Sequence, residues 1–299
     1  MLRPCQARSR ITAICVRISL LRIEPTTSGP TIAATAAVHP GARVHPTAVI
    51  GAYCIVEDAV EIGPHNRLDP FAIVKRYTTL GEGNHLYSGA QLGTDPMDKK
   101  FREENSSYLR VGNRNVLREY VNISRGTRPG AVTVLGDDNY VMSCVHIAHD
   151  CQLGSHITIG PSTSLGGYAE IEDSAFLSAG VGVHQFSKVG RLCMVAANTR
   201  VAQDVPPYLL VSEFDCAAHG LNLVGLRRSG ASRETVAALK QAYRLLYRSA
   251  LPRKEALERI EALATPEALH MVEFIRSSKR GICRDHRSMT AAAAVPAED

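Results

Sequence analysis

An aliphatic residue returns every six positions along most of this chain, and few folds tolerate such a beat. From Leu135 the series continues through Val141, Ile147, Leu153, Ile159, Leu165, Ile171, Leu177, Val183, Val189, Val195 and Val201 without a miss. An earlier run starts at Ile32 and passes Val38, Val44, Ile50, Val56, Ile62, Leu68, Val74, Leu80 and Leu86 to Leu92. A helix shows its buried face about every 3.6 residues and a strand about every 2, so neither accounts for the pattern. Stacked hexapeptides do. Three of them close one turn of a solenoid in about eighteen residues, and each aliphatic side chain enters the lumen above its counterpart in the next turn. Residues 32–205 are therefore predicted to form an all-β solenoid, a parallel β-helix of hexapeptide repeats.

The places where the beat fails are as informative. Between Gly93 and Arg110 lies a polar stretch with Asp95-Pro96, Asp98-Lys99-Lys100 and Glu103-Glu104-Asn105, after which the series resumes at Val111, Leu117 and Ile123. Residues 93–110 read as an external loop, which forfeits stacking that its neighbours keep and so points to function. A shorter break spans 125–133. Glycine often follows the aliphatic residue, as at Gly51, Gly63, Gly81 and Gly93, where a missing Cβ is expected to ease a tight corner. Val205-Pro206-Pro207-Tyr208 is expected to end the coil, because consecutive prolines lack ladder donors.

Beyond it the period turns helical. Ser232 followed by Glu234 marks a start, and Val236, Leu239, Tyr243, Leu246 and Tyr247 share one face. Pro252 and Pro266 open two more segments. Residues 206–284 thus read as a small C-terminal α-helical domain capping the solenoid, and 285–299 as a disordered tail. Residues 1–31 form a leader. Its first part carries Arg3, Arg8, Arg10, Arg17 and Arg22 with no acid before Glu24. That composition fits either a disordered start on a cytoplasmic protein or a transit peptide for a mitochondrion or other organelle; the cytoplasmic reading is preferred.

Composition narrows the function classes. Aromatics are 5% with no Trp, which suits thin layers of Val, Ile and Leu. A net charge of +5 is too mild to argue for nucleic acid. Eight cysteines without a Cys-x-x-Cys pair indicate a reducing compartment, and no apolar run approaches the roughly eighteen residues of an integral membrane segment.

The densest chemistry lies in Ser143 to Cys151, which reads Ser-Cys-Val-His-Ile-Ala-His-Asp-Cys. Two thiols and two imidazoles could bind zinc, but on a flat solenoid face Cys144, His146, His149 and Cys151 project in different directions, so no metal is expected. The histidines could merely decorate the coil. Alternatively His149 is a general base, its tautomer fixed by Asp150 or another acceptor. The eighteen-residue stack places His149 beside Gly167 and His146 beside Ser164.

Four blocks take the reading further. His146-Ile-Ala-His149-Asp150-Cys151, Val183-His184-Gln185-Phe186, Val201-Ala-Gln-Asp-Val-Pro-Pro-Tyr208 and Asn222-Leu-Val-Gly-Leu-Arg227-Arg228, in this order, resemble the UDP-N-acetylglucosamine O-acyltransferase family. The resemblance covers about residues 39–284. It implies a left-handed coil, a homotrimer with active sites between subunits, and transfer of a 3-hydroxyacyl chain from acyl carrier protein to the sugar 3-hydroxyl of UDP-N-acetylglucosamine, the first step of lipid A synthesis. No cofactor beyond the carrier thioester is implied. By position, His149 becomes the base, Asp150 its partner and Gly167 an oxyanion donor. His146, His184 and Gln185 would line the cleft, Asp98 and Lys100 would hold sugar or acyl donor, Asn222 and Arg228 the nucleotide, and Ala197 would limit acyl-chain length. Cys151 is expected to be a small core residue rather than a nucleophile.

Departures from the family pattern stand at Tyr168, where histidine is usual, at Val224, where glutamate is usual, and at Ser229, where a basic residue is usual. An N-acyltransferase acting on the 3-acylated sugar nucleotide, or a scaffold without catalysis, would share the coil. The helical end carries thirteen Lys or Arg against six Glu between Arg227 and Arg284, which suits an acidic carrier protein as partner.

Overall fold

Hexapeptides become short strands, and strands from every third hexapeptide pair in parallel. Three sheets of eleven, nine and eight strands result, and they form the faces of a prism. Val49–Ile50 typifies the first face, His146–Ile147 the second and Gln152–Leu153 the third. The computed structural model describes residues 29–286; the Arg-rich leader before residue 29 and the tail after 286 lie outside them. Every member of the aliphatic series from Ile50 to Val201 is buried, each contributing roughly 1.5–3 kcal/mol of transfer free energy.

A second inward position stands two residues before each aliphatic one and takes small side chains such as Cys54, Ala72, Cys151 and Ala175. On one edge it carries asparagines instead. Asn66, Asn84, Asn115 and Asn139 are fully buried, and each carboxamide oxygen accepts the backbone N–H of the equivalent residue in the next coil, at 2.8–2.9 Å. This ladder satisfies donors that a corner would otherwise strand in the core.

The glycines matter for a different reason than expected. Gly51, Gly63 and Gly81 do not occupy the left-handed region; among the four only Gly93 does, at φ +73°. Their missing Cβ makes room for the neighbouring coil, since a Cβ on Gly51 would stand 2.7 Å from the Leu68 carbonyl oxygen. The left-handed corner falls two residues later and is filled mostly by other types, including Tyr53, Phe71, Asp150 and Tyr168.

Stacked partners stand 18 residues apart, as for Asn66 and Asn84, except across two insertions, where the separations are 31 and 24. The longer insertion leaves after the strand Gln91–Thr94 and returns at Tyr108–Val111; the shorter lies between Asn122–Ser124 and Val132–Leu135. Both emerge from the edge joining the second and third faces.

The prolines do not end the coil. Leu209–Ser212 still pairs in parallel with Met194–Val195 on the first face, and Ala217–Leu221 then folds back antiparallel. Pro206 and Pro207 sit at a corner between strands, where a missing N–H breaks no ladder. The helical cap therefore starts at α1 (Leu223–Arg228), followed by α2 (Arg233–Tyr247), α3 (Arg253–Glu261) and α4 (Pro266–Ser277). Ser232 caps α2 by accepting from Thr235 N–H, and Thr265 caps α4. Asp285, expected in the tail, belongs to the fold: it is buried, accepts from the Tyr243 hydroxyl at 2.6 Å and pairs with Arg248 at 3.0 Å.

Asn115→Ala should strip the ladder at its middle rung and leave the Asn139 N–H buried without an acceptor. The expected loss is about 1–3 kcal/mol, read as a lower denaturant midpoint.

Candidate active site

His149 follows the lumenal Ile147 by two residues, so it stands on the edge between the second and third faces and points outward. Its side chain is 14% exposed. The left-handed conformation of Asp150, φ +61°, turns the next carboxylate back onto the ring, and Nδ1 and Oδ2 lie 2.8 Å apart. That contact places the Nδ1 proton toward Asp150 and leaves Nε2 as the free, basic nitrogen. Gly167 packs against the other side of the ring: a Cβ there would stand 2.5 Å from Cε1 and 2.7 Å from Nε2. Glycine at 167 is thus a steric requirement of the imidazole. Among the described residues the Gly167 N–H meets no acceptor.

Asp150 is buried at 8% exposure. Burial by itself would raise its carboxyl pKa, but hydrogen bonds from His149 and Thr127 outweigh that and hold it below the usual range. Thr127 donates twice, from Oγ1 at 2.7 Å and from its backbone N–H at 3.2 Å. Its Oγ1 also lies 3.2 Å from the Tyr168 hydroxyl. The Tyr168 ring stacks on Phe186 and meets His149 edge-on. Thr127 comes from the shorter insertion, which the sequence flagged only as a break.

The two insertions are held together by Arg125. Its side chain is fully buried, reaches Asp95 at 3.0 Å and the Asn105 carbonyl at 3.1 Å, and lies over the rings of Tyr77 and Phe101. Asn105 in turn donates to the Thr127 carbonyl at 2.9 Å. The longer insertion is thereby folded over the edge, and a cleft of about 870 Å³ opens between Asp98 and Lys100 on one side and His149, Tyr168, Gln185 and Phe186 on the other. An adjoining groove on the second face runs past His146, Gly167, His184 and Gln185. His146 Nδ1 lies 3.0 Å from Asn122 Oδ1, and burial, then the nearby His149, pushes its pKa below the ordinary imidazole value.

The structure brings together His149, Asp150, Gly167, His146, His184, Gln185, Asp98 and Lys100. It does not bring Asn222, Arg228 or Ala197 to either cleft of the same chain. Asn222 caps α1, accepting from Gly225 N–H at 2.9 Å while donating to the Leu192 carbonyl at 2.8 Å. Val224 and Arg228 are exposed on that helix. The Cys144, His146, His149, Cys151 set does not converge. Cys144 is exposed at a corner, whereas Cys151 faces the lumen, and burial pushes its thiol up to about 12.

With this geometry in place, the chain can be compared with known proteins. It is 40% identical over 253 residues to the acyl-[acyl-carrier-protein]–UDP-N-acetylglucosamine O-acyltransferase of Thermodesulfovibrio yellowstonii, covering 84% of this chain and 98% of that protein. It belongs to that family. The family model for UDP-N-acetylglucosamine O-acyltransferase domain 2 matches residues 204–283. Among solved structures, the UDP-N-acetylglucosamine acyltransferase of Francisella novicida superposes with a TM-score of 0.84 at 35% identity, over 90% of this chain and 100% of that one. The Arabidopsis enzyme gives 0.77 at 31% identity, over 85% and 100%. Membership makes the chain an acyltransferase and brings with it the left-handed coil. No helix among the described residues is long and apolar enough to cross a membrane.

Two substitutions probe this site. Thr127→Val keeps the side-chain shape but removes the Oγ1 donor; kcat for acyl transfer should fall about tenfold with little change in KM. Gly167→Ala should displace the imidazole and lower kcat on the order of a hundredfold, while the melting temperature reports whether the coil survives.

Proposed function

We propose that this chain moves a 3-hydroxyacyl group from the thioester of acyl carrier protein to the 3-hydroxyl of UDP-N-acetylglucosamine, the opening step of lipid A synthesis, with His149 as general base. The orientation of the imidazole carries the reading: Asp150 occupies Nδ1, so Nε2 faces the cleft beside Gly167. Nε2 takes the proton of the sugar hydroxyl as its oxygen attacks the thioester carbonyl. The resulting oxyanion lies where the Gly167 N–H can donate to it. Collapse breaks the C–S bond, and the imidazolium returns its proton to the departing carrier thiolate. Asp150 stabilises the charged ring throughout, at a distance where an ion pair is effective. An acyl-enzyme is unnecessary, and the raised Cys151 thiol is unsuited to form one.

In this proposal the working unit is a homotrimer. Tyr53, Phe71 and Tyr120 are exposed along the edge between the first and second faces, an apolar strip suited to a copy of the chain. The nucleotide roles of Asn222 and Arg228 and the acyl-length role of Ala197 fit a cleft completed by a neighbouring subunit. Asp98 and Lys100 hold the sugar or the acyl donor from the longer insertion. The reaction needs no metal or other cofactor, and a cytoplasmic location suits both substrates.

His149→Ala should abolish nearly all transfer in an assay with UDP-N-acetylglucosamine and a panel of 3-hydroxyacyl carrier thioesters, while leaving the melting temperature and trimer intact. A variant that keeps substantial activity would remove the base from the mechanism. On the same panel, Ala197→Gly should admit longer chains, because it deletes a methyl group. Carrier affinity should drop steeply between low and high ionic strength, given the basic cap.

A further inference from the structure

The end of the described chain meets the solenoid's last hairpin. A parallel bridge pairs Ala218 with Asp285, which sets the following residues, His219 and His286, side by side. Their rings stack with centroids 4.3 Å apart. Glu213, in the turn between Leu209–Ser212 and Ala217–Leu221, reaches both: Oε1 lies 3.2 Å from His219 Nε2 and 2.7 Å from His286 Nδ1.

We propose that Glu213, His219 and His286 form a binding site for a divalent transition metal of the zinc class. The three ligand atoms lie within 4.8 Å of one another. Donors around tetrahedral zinc, each bonded at about 2.0–2.2 Å, stand about 3.3 Å apart, so small side-chain adjustments suffice. Two imidazole nitrogens with one carboxylate oxygen are borderline ligands that favour zinc, cobalt, nickel or copper over magnesium or calcium. Backbone pairing sets the two histidines side by side, through the bridge from Ala218 to Asp285, and Asp285 is itself buried and bonded to Tyr243 and Arg248. Glu213 reaches both rings from the turn that joins the two strands of the hairpin. His219 and Glu213 are exposed, so an ion can enter and a water can take the fourth place.

Bound there, a metal would clasp the C-terminal segment onto the hairpin. The same turn touches the cleft side of the molecule, because Arg200, which lines the groove on the second face, pairs with Asp215 at 3.1 Å and lies over Phe214. None of the three ligands takes part in the proposed acyl transfer.

The test uses the full chain, stripped with a chelator and titrated with cobalt(II) and zinc(II) alone. The expected result is one cobalt ion per chain with visible d–d bands, displaced by zinc, and a melting temperature that rises with zinc concentration. His219→Ala and Glu213→Gln should each remove that equivalent and the thermal shift, while the melting temperature without metal and the acyl-transfer rate stay near those of the parent chain. Absence of binding up to millimolar cobalt would overturn the proposal. So would binding that persists unchanged in His219→Ala, since it would then belong to other ligands such as the exposed Cys144.

Discussion

The ladder between successive coils is the constraint on which everything else rests. Parallel strands in register make a residue's neighbour the one eighteen places away, and the small separation between coils leaves no room for a Cβ where backbones approach. Side chains then stand in columns whose spacing the main chain sets. An imidazole placed in such a column inherits that rigidity. His149 lies over Gly167 because their coils are hydrogen-bonded to each other, and glycine is required there because the ring occupies the space a methyl group would need.

The same ladder explains where the molecule can afford to be irregular. An insertion at a corner leaves the flanking strands paired with their neighbours, as Gln91–Thr94 with Asn122–Ser124 and Tyr108–Val111 with Val132–Leu135, and loop-closure entropy grows slowly with its length. Both insertions leave from one edge, and that edge is the one that bears His149, Gly167, Tyr168 and Gln185. Arg125 then converts two loops into one wall. A fully buried guanidinium is costly to desolvate; here Asp95, a carbonyl and two aromatic faces offset that cost. The result positions Thr127, whose two donors join His149 in holding the Asp150 carboxyl below the usual range against the effect of its own burial.

Much of the fold was legible in the sequence because the lumen admits only aliphatic side chains at one position in six. The helical starts at Ser232, Pro252 and Pro266 were legible too, since caps and prolines act locally. The end of the coil was not. Prolines at 206 and 207 looked like terminators, yet they occupy a corner, and only the pairing of Leu209–Ser212 reveals that another strand follows. The reach of the core to Asp285 was hidden likewise, because a lone carboxylate near the C-terminus gives no local signal of burial.

The sequence by itself determined the prism and the column shared by His149 and Gly167, because these follow from a period and from contacts at a constant separation. Tertiary structure alone decided what holds Asp150 against His149. Thr127 and Asp150 lie 23 residues apart, and Arg125 and Asp95 30 apart. Those separations span insertions whose lengths obey no period, so no stacking rule predicts which side chains meet. It also decided that Asn222 spends its carboxamide on capping α1. A side chain's hydrogen-bond partners depend on which backbone groups are left unpaired nearby, and that is settled only when the chain has folded.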